Sequence, residues 1–187
     1  MSQQKPKIDP GISFQTMEET LEIPPKPAGM TLGIPREIAF QENRVALTPD
    51  AVNLLVNNGH KVVVEHHAGE ASHFSDKDYA DAGARIVYER SEVFQAPVLV
   101  KSAPIIEADL PLLQPHQMII SPIHLPGMTS VILEKMMEKR ITALSFEHLK
   151  DDSDSYPIVR SMSEIAGSAV MLIAGQHLGS ANHGKGV

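Results

Sequence analysis

From Met30 onward, short aliphatic or β-branched runs alternate with longer amphipathic stretches. Thr31–Pro35 (TLGIP), His60–Glu65 (HKVVVE), Ala84–Tyr88 (ARIVY), Val98–Lys101 (VLVK), Met118–Ile123 (MIISPI) and Ile141–Phe146 (ITALSF) read as strands. Runs such as VVV and MII lack the polar alternation of a half-solvated strand. They predict strands buried on both faces, as in a parallel sheet. Between them Pro49–Asn58, Asp76–Ala82, Glu107–Leu113 and Met128–Arg140 read as helices. Thr48 is placed to cap the first of these, with proline at its first position and Gly59 at its end, and Ser75 opens the second. Strand and helix alternating in this way specify an α/β fold with a parallel, doubly wound (Rossmann-like) sheet.

The two ends differ from this pattern. Residues 1–29 hold five of the fourteen prolines and no sustained periodicity, and read as a proline-rich extension. After the polar loop Lys150–Pro157, the segment Ser163–Leu178 predicts a long, mostly apolar helix with closely spaced Ala and Gly. Such a helix is expected to pack tightly, with little of its surface facing solvent once its partner is present. The expected organisation is an extension (1–29), an α/β domain (30–157) and an inter-domain helix (158–187). The ending Ser180-Ala181-Asn182-His183-Gly184-Lys185-Gly186-Val187 reads as a fragment boundary, which would leave an apolar stripe of that helix uncovered.

Composition narrows the function classes. A net charge of −7 and 4% aromatics with no Trp argue against nucleic acid as partner. The absence of cysteine excludes disulfides, thiolate metal sites and cysteine nucleophiles. The longest apolar run, Ala169–Ala174, is far short of a bilayer span, and the N-terminus has no apolar signal core. These features lead to the expectation of a cytoplasmic protein with no membrane partner.

Neither G-x-G-x-x-G after a strand, nor a phosphate loop, nor a G-x-S-x-G elbow occurs, so a self-contained nucleotide site is not expected. His66, His67 and His73 straddle a strand end and a glycine loop without a recognised metal-ligand spacing, and read as surface histidines. In a parallel sheet ligands sit beyond the carboxyl ends of the strands. Arg44 follows the first strand, Lys101 closes the fourth, and His124 follows the fifth. An arginine fork for a carboxylate, a lysine to polarise a carbonyl and a histidine to move a proton would together suit a small oxo acid. Each has a plainer alternative. Arg44 can pair with Glu37 or Glu42, Lys101 can solvate a strand end, and His124 can be a packed loop residue.

Leu32-Gly33-Ile34-Pro35-Arg36-Glu37 and Glu42-Asn43-Arg44-Val45-Ala46-Leu47-Thr48-Pro49 resemble the N-terminus of the alanine dehydrogenase and pyridine-nucleotide transhydrogenase family. Gly59-His60-Lys61-Val62, Ala68-Gly69-Glu70, Asp81-Ala82-Gly83-Ala84, Val100-Lys101, Ile123-His124-Leu125 and Met162-Ser163-Glu164-Ile165-Ala166-Gly167 continue the likeness in order, over about residues 30–187. His124-Leu125 and Met162-Ser163-Glu164 are closer to the dehydrogenase branch. Where the family often has Lys-x-Lys-x-Pro, this chain has Lys101-Ser102-Ala103-Pro104, with one lysine.

The resemblance implies reversible, NAD-dependent oxidative deamination of L-alanine to pyruvate and ammonia by a homo-oligomeric enzyme. It implies Arg44 as carboxylate anchor, Lys101 as a second substrate contact and Met162 as pocket lining. His124 would be the catalytic proton donor and acceptor, and Ser163 a contact to the nicotinamide. Family members continue into a second Rossmann domain that holds most of the NAD, so the 187 residues alone are expected to be inactive. A piece of a transhydrogenase alpha subunit and a non-catalytic binding or assembly module are the competing expectations.

Overall fold

The computed structural model describes residues 29–180 and 183–186, apart from the side chain of Pro126. The proline-rich extension lies outside the described residues, save Gly29. Six strands form one sheet: β1 (Thr31–Ile34), β2 (Lys61–Glu65), β3 (Arg85–Val87), β4 (Val98–Val100), β5 (Met118–Ser121) and β6 (Thr142–Ser145). Every pairing is parallel and the order is β3-β2-β1-β4-β5-β6. This is the doubly wound sheet expected from the alternation. The order reverses between β1 and β4, so the crevice beyond their carboxyl ends is the natural ligand position.

Helices α1 (Pro49–Asn57), α2 (Asp76–Asp81), α3 (Arg90–Val93) and α4 (Ser130–Glu138) connect the strands. Thr48 accepts a hydrogen bond from the Ala51 N–H at the start of α1, and Pro49 costs nothing there because its missing donor would have no helical partner. Ser75 and Asp78 form a reciprocal capping box on α2. Gly59 turns the chain after α1 with φ +88°, and Gly83 does so after α2 with φ +93°. Val93, Phe94, Leu99, Leu113 and Ile119 form one core layer. Ile34, Val52, Val62, Val64 and Tyr79 form the other, across the sheet. Gly33 is required between them: a β-carbon there would lie 2.6 Å from the Val93 carbonyl oxygen and 2.9 Å from the Ala96 β-carbon.

Several expectations need correction. Glu107–Leu113 forms only a single 3-10 turn at Glu107–Asp109, because Pro111 interrupts the following backbone. The short α3 had no periodicity to reveal it. Double-sided burial holds for the central β2 and β4, whereas edge strand β6 is largely exposed. The terminal helix α5 starts earlier than expected and spans Pro157–Leu178, with proline again at the first position.

Its surroundings match the expected uncovered stripe: α5 leaves Ile165, Val170, Met171, Leu172 and Ile173 exposed, Met171 at 73%. It meets the body of the domain near the turn Phe146–His148. By length and composition α5 is also long and apolar enough to cross a membrane, although no unbroken apolar run suggested it. Small Gly, Ser and Ala residues interrupt the run without making the segment polar.

Candidate active site

Beyond the ends of β1 and β4 lies a cavity of about 450 Å³. Its wall is mostly apolar, from Leu32, Leu47, Val100, Ile120 and Phe146, and Arg44, Lys101 and Ser102 supply its polar groups. From α5, Ile158 and Met162 close one side. Of the residues singled out in the sequence, the structure therefore brings Arg44, Lys101 and Met162 to one cavity.

Lys101 does not solvate the strand end. It is 1% exposed. Its Nζ donates to Glu37 Oε2 at 2.8 Å and lies 3.4 Å from Asp109 Oδ2. Glu37 comes from the loop after β1, where its other oxygen accepts the backbone N–H groups of Ser102 (2.6 Å) and Ala103 (3.1 Å). The network continues through Asp109 Oδ1, which accepts from Arg90 Nη2 at 2.7 Å. Arg90 Nη1 in turn donates to Glu65 Oε2 at 2.8 Å and to the Arg36 carbonyl at 2.7 Å. Three carboxylates thus hold two buried or half-buried cations. A buried charge is tolerated only when paired and hydrogen-bonded in this way. Sequence reasoning singled out Lys101 but not Glu37 as its fixed partner, nor Asp109 and Arg90.

Arg44 lies nearer the solvent. Its Nε and Nη2 grip both oxygens of Glu42 at 2.8 and 2.6 Å, and its backbone N–H donates to the same carboxylate at 3.0 Å. The plainer pairing expected with an acidic neighbour is therefore formed with Glu42. The same contact shows the guanidinium presenting the two-pronged face that any carboxylate would use. Hydrogen bonding to Arg44 holds the Glu42 carboxyl below its usual range, and Glu42 raises the Arg44 guanidinium correspondingly.

His124 follows β5 on an exposed turn, Leu125–Gly127, and is not part of the cavity wall. Its ring covers Gly127: a β-carbon there would lie 2.9 Å from His124 Cδ2. Ser163 is exposed on α5 beside Met162 and likewise outside the cavity wall.

The described residues do not offer a dinucleotide cradle. β1 leads into Pro35-Arg36-Glu37 rather than a glycine turn, and α1 begins only at Pro49. A pyrophosphate at that strand end would meet the Glu37 carboxylate instead of free helical N–H groups. Away from this crevice, His66, His67 and Asp76 place one ligand-type atom each within 4.8 Å of one another. Asp76 could not be linked to the two histidines from spacing alone.

Comparison with known proteins agrees with this architecture. Residues 33–166 match the alanine dehydrogenase/PNT N-terminal domain. The chain is 33% identical over 158 residues to alanine dehydrogenase 2 of Staphylococcus aureus (strain USA300), covering 84% of this chain and 42% of that protein. An alanine dehydrogenase of Staphylococcus haemolyticus is 34% identical over the same length, again with 84% and 42% covered. A solved L-alanine dehydrogenase superposes with a TM-score of 0.80 at 33% identity, covering 84% of this chain and 44% of that one. A transhydrogenase from Sinorhizobium meliloti shares the fold at a TM-score of 0.60 and 24% identity, over 66% of this chain and 35% of its own. The chain spans less than half the length of these alanine dehydrogenases. By its matched domain and its sheet, the chain belongs to the alanine dehydrogenase/PNT family, of which it carries the N-terminal domain.

Proposed function

We propose that this chain is the substrate-binding portion of an L-alanine dehydrogenase, which interconverts L-alanine and pyruvate plus ammonia with NAD. The observation that carries the reading is Lys101, buried beside Arg44 in one cavity at the sheet's reversal point, in a domain that matches alanine dehydrogenases.

Arg44 anchors the substrate carboxylate, exchanging its grip on Glu42 for the ligand. Lys101, held by Glu37, donates a hydrogen bond to the substrate carbonyl or carboxylate oxygen. Met162 and the apolar wall exclude water from the substrate methyl group. His124 carries the proton during loss or addition of ammonia and water, which requires its turn to close over the cavity. Ser163 contacts the nicotinamide. NAD supplies hydride transfer when bound, and its phosphates need donors from a further domain, since the described residues provide no cradle.

We assign residues 30–157 to the substrate domain and residues 158–187, which hold all of α5 but its first residue, to the link with that further domain. The exposed apolar face of α5 supports a protein partner there, and a cytoplasmic homo-oligomer is proposed, as the family resemblance implies. Joining this chain in frame to the remainder of the Staphylococcus aureus relative tests the reading. Alanine-dependent reduction of NAD, weakened on Arg44→Ala in a hybrid that still folds and binds NADH, supports it. A folded hybrid that binds NADH but oxidises no alanine overturns it.

A further inference from the structure

We propose that His66, His67 and Asp76 bind one first-row divalent cation of the zinc class. His66 and His67 follow β2 directly, while Asp76 opens α2, so the three groups come from two segments that the fold brings together. Their ligand-type atoms lie within 4.8 Å of one another, a span that a single ion with ligand bonds of about 2.0–2.2 Å can bridge after small side-chain rotations.

Two further observations show the set to be oriented. The Asp76 carboxylate is fixed through both oxygens: Oδ1 accepts the His67 backbone N–H at 2.9 Å, and Oδ2 faces His66 Nδ1. The His67 Nδ1 lies 2.9 Å from Glu70 Oε2, which puts a carboxylate within reach to orient that imidazole once a metal is bound. His67 holds this position with φ +61°, a left-handed conformation that asparagine also adopts readily. His67 and Asp76 open onto a cavity of about 480 Å³ that they share with Glu70, His73 and Lys77, leaving room for water to complete the coordination.

Two imidazoles with one carboxylate favour zinc, nickel or copper(II) over magnesium and calcium, which prefer all-oxygen sites. The role that follows is structural. His67 and Glu70 also border the shallow cavity beside Arg44 and Asn43, and Ser72 Oγ donates to the Asn43 carbonyl at 2.6 Å. An ion at this point would therefore close the β2–α2 connection on itself, and Ser72 of that connection is tied to the loop that presents Arg44.

The test is calorimetric titration of the untagged, metal-stripped 187-residue chain with Zn2+, Mg2+ and Ca2+, with thermal melts alongside. One Zn2+ per chain, a Tm that rises with Zn2+, and no comparable response to Mg2+ or Ca2+ are expected. His66→Ala and Asp76→Asn should each weaken Zn2+ binding at least ~10-fold, and Glu70→Gln by about 10-fold through the orientation of His67. His67→Asn removes the ligand while keeping a residue that tolerates the left-handed backbone, so loss of binding there is not a folding defect. His73→Asn should leave the affinity unchanged. Absence of Zn2+ binding, several equivalent weak sites, or unchanged affinity in folded His67→Asn and Asp76→Asn would overturn the proposal.

Discussion

Lys101 Nζ lies 2.8 Å from Glu37 Oε2, a contact that ties the end of β4 to the loop leaving β1 at the point where the sheet reverses its strand order. Glu37 also accepts two backbone N–H groups of the Lys101–Ala103 segment, so one carboxylate sets both the lysine and its loop. Breaking this pair leaves a buried charge without its closest partner. Glu37→Ala or Lys101→Met should each lower stability by about 3–5 kcal/mol, read from urea unfolding at neutral pH. A change below about 1 kcal/mol in both variants would show that the network is not as dry as the structure indicates.

Gly33 lets β1 approach α3 and the Ala96–Leu99 segment. Gly33→Ala introduces a β-carbon against a backbone carbonyl, which cannot rotate away as a side chain can. The expected loss is about 1–3 kcal/mol, without change in the unfolding m-value. Gly167→Ala is the control, because a β-carbon on α5 meets nothing there. That substitution should be neutral or slightly stabilising by helix propensity.

The turn after β5 provides a third check. Gly127→Ala forces the His124 ring to shift by contact with the new methyl group. In an alanine-oxidising hybrid this should lower kcat in the manner of a milder His124→Ala, whose own loss is expected at about 10²-fold or more. Near-normal turnover in His124→Ala would return His124 to a loop-packing role.

Acid titration tests the Arg44–Glu42 pair. Glu42 has a folded-state pKa below its ordinary value, with hydrogen bonding to Arg44 the largest cause. The unfolded chain therefore takes up the proton first. The pair's stabilisation is fully present above the ordinary carboxylate pKa and is lost as pH falls through the lowered folded value. Glu42→Gln should remove that segment of the pH–stability curve and leave the neutral-to-basic segment parallel to the parent. Melting curves between roughly pH 2.5 and 7 would show it, and a Glu42→Gln curve parallel to the parent throughout would refute it.

The α/β plan was legible because its signals are local. Thr48-Pro49 and Ser75 with Asp78 announce their helices, and Val62–Val64 reads as a central strand on its own. The partners of Lys101 were not legible. Glu37 stands 64 residues earlier, and Asp109 lies in a segment whose apolar pattern suggested a helix that Pro111 prevents. Arg44 and Lys101 could be placed at strand ends from topology, but only the folded chain shows one buried and the other gripping Glu42. The exposure of α5 was legible in part. Its apolar length pointed to a partner, and the described residues leave that face uncovered.

The most direct measurement is an NMR titration of the isotopically labelled chain with pyruvate, repeated on Arg44→Ala. Weak, saturable shifts confined to residues around Arg44, Ser102 and Met162 are expected. The variant should weaken the apparent affinity about tenfold or more, as befits a charge-assisted pair of roughly 1.5–3 kcal/mol. Shifts that map elsewhere, or that persist undiminished without the Arg44 guanidinium, would contradict the assignment of this cavity as the substrate site.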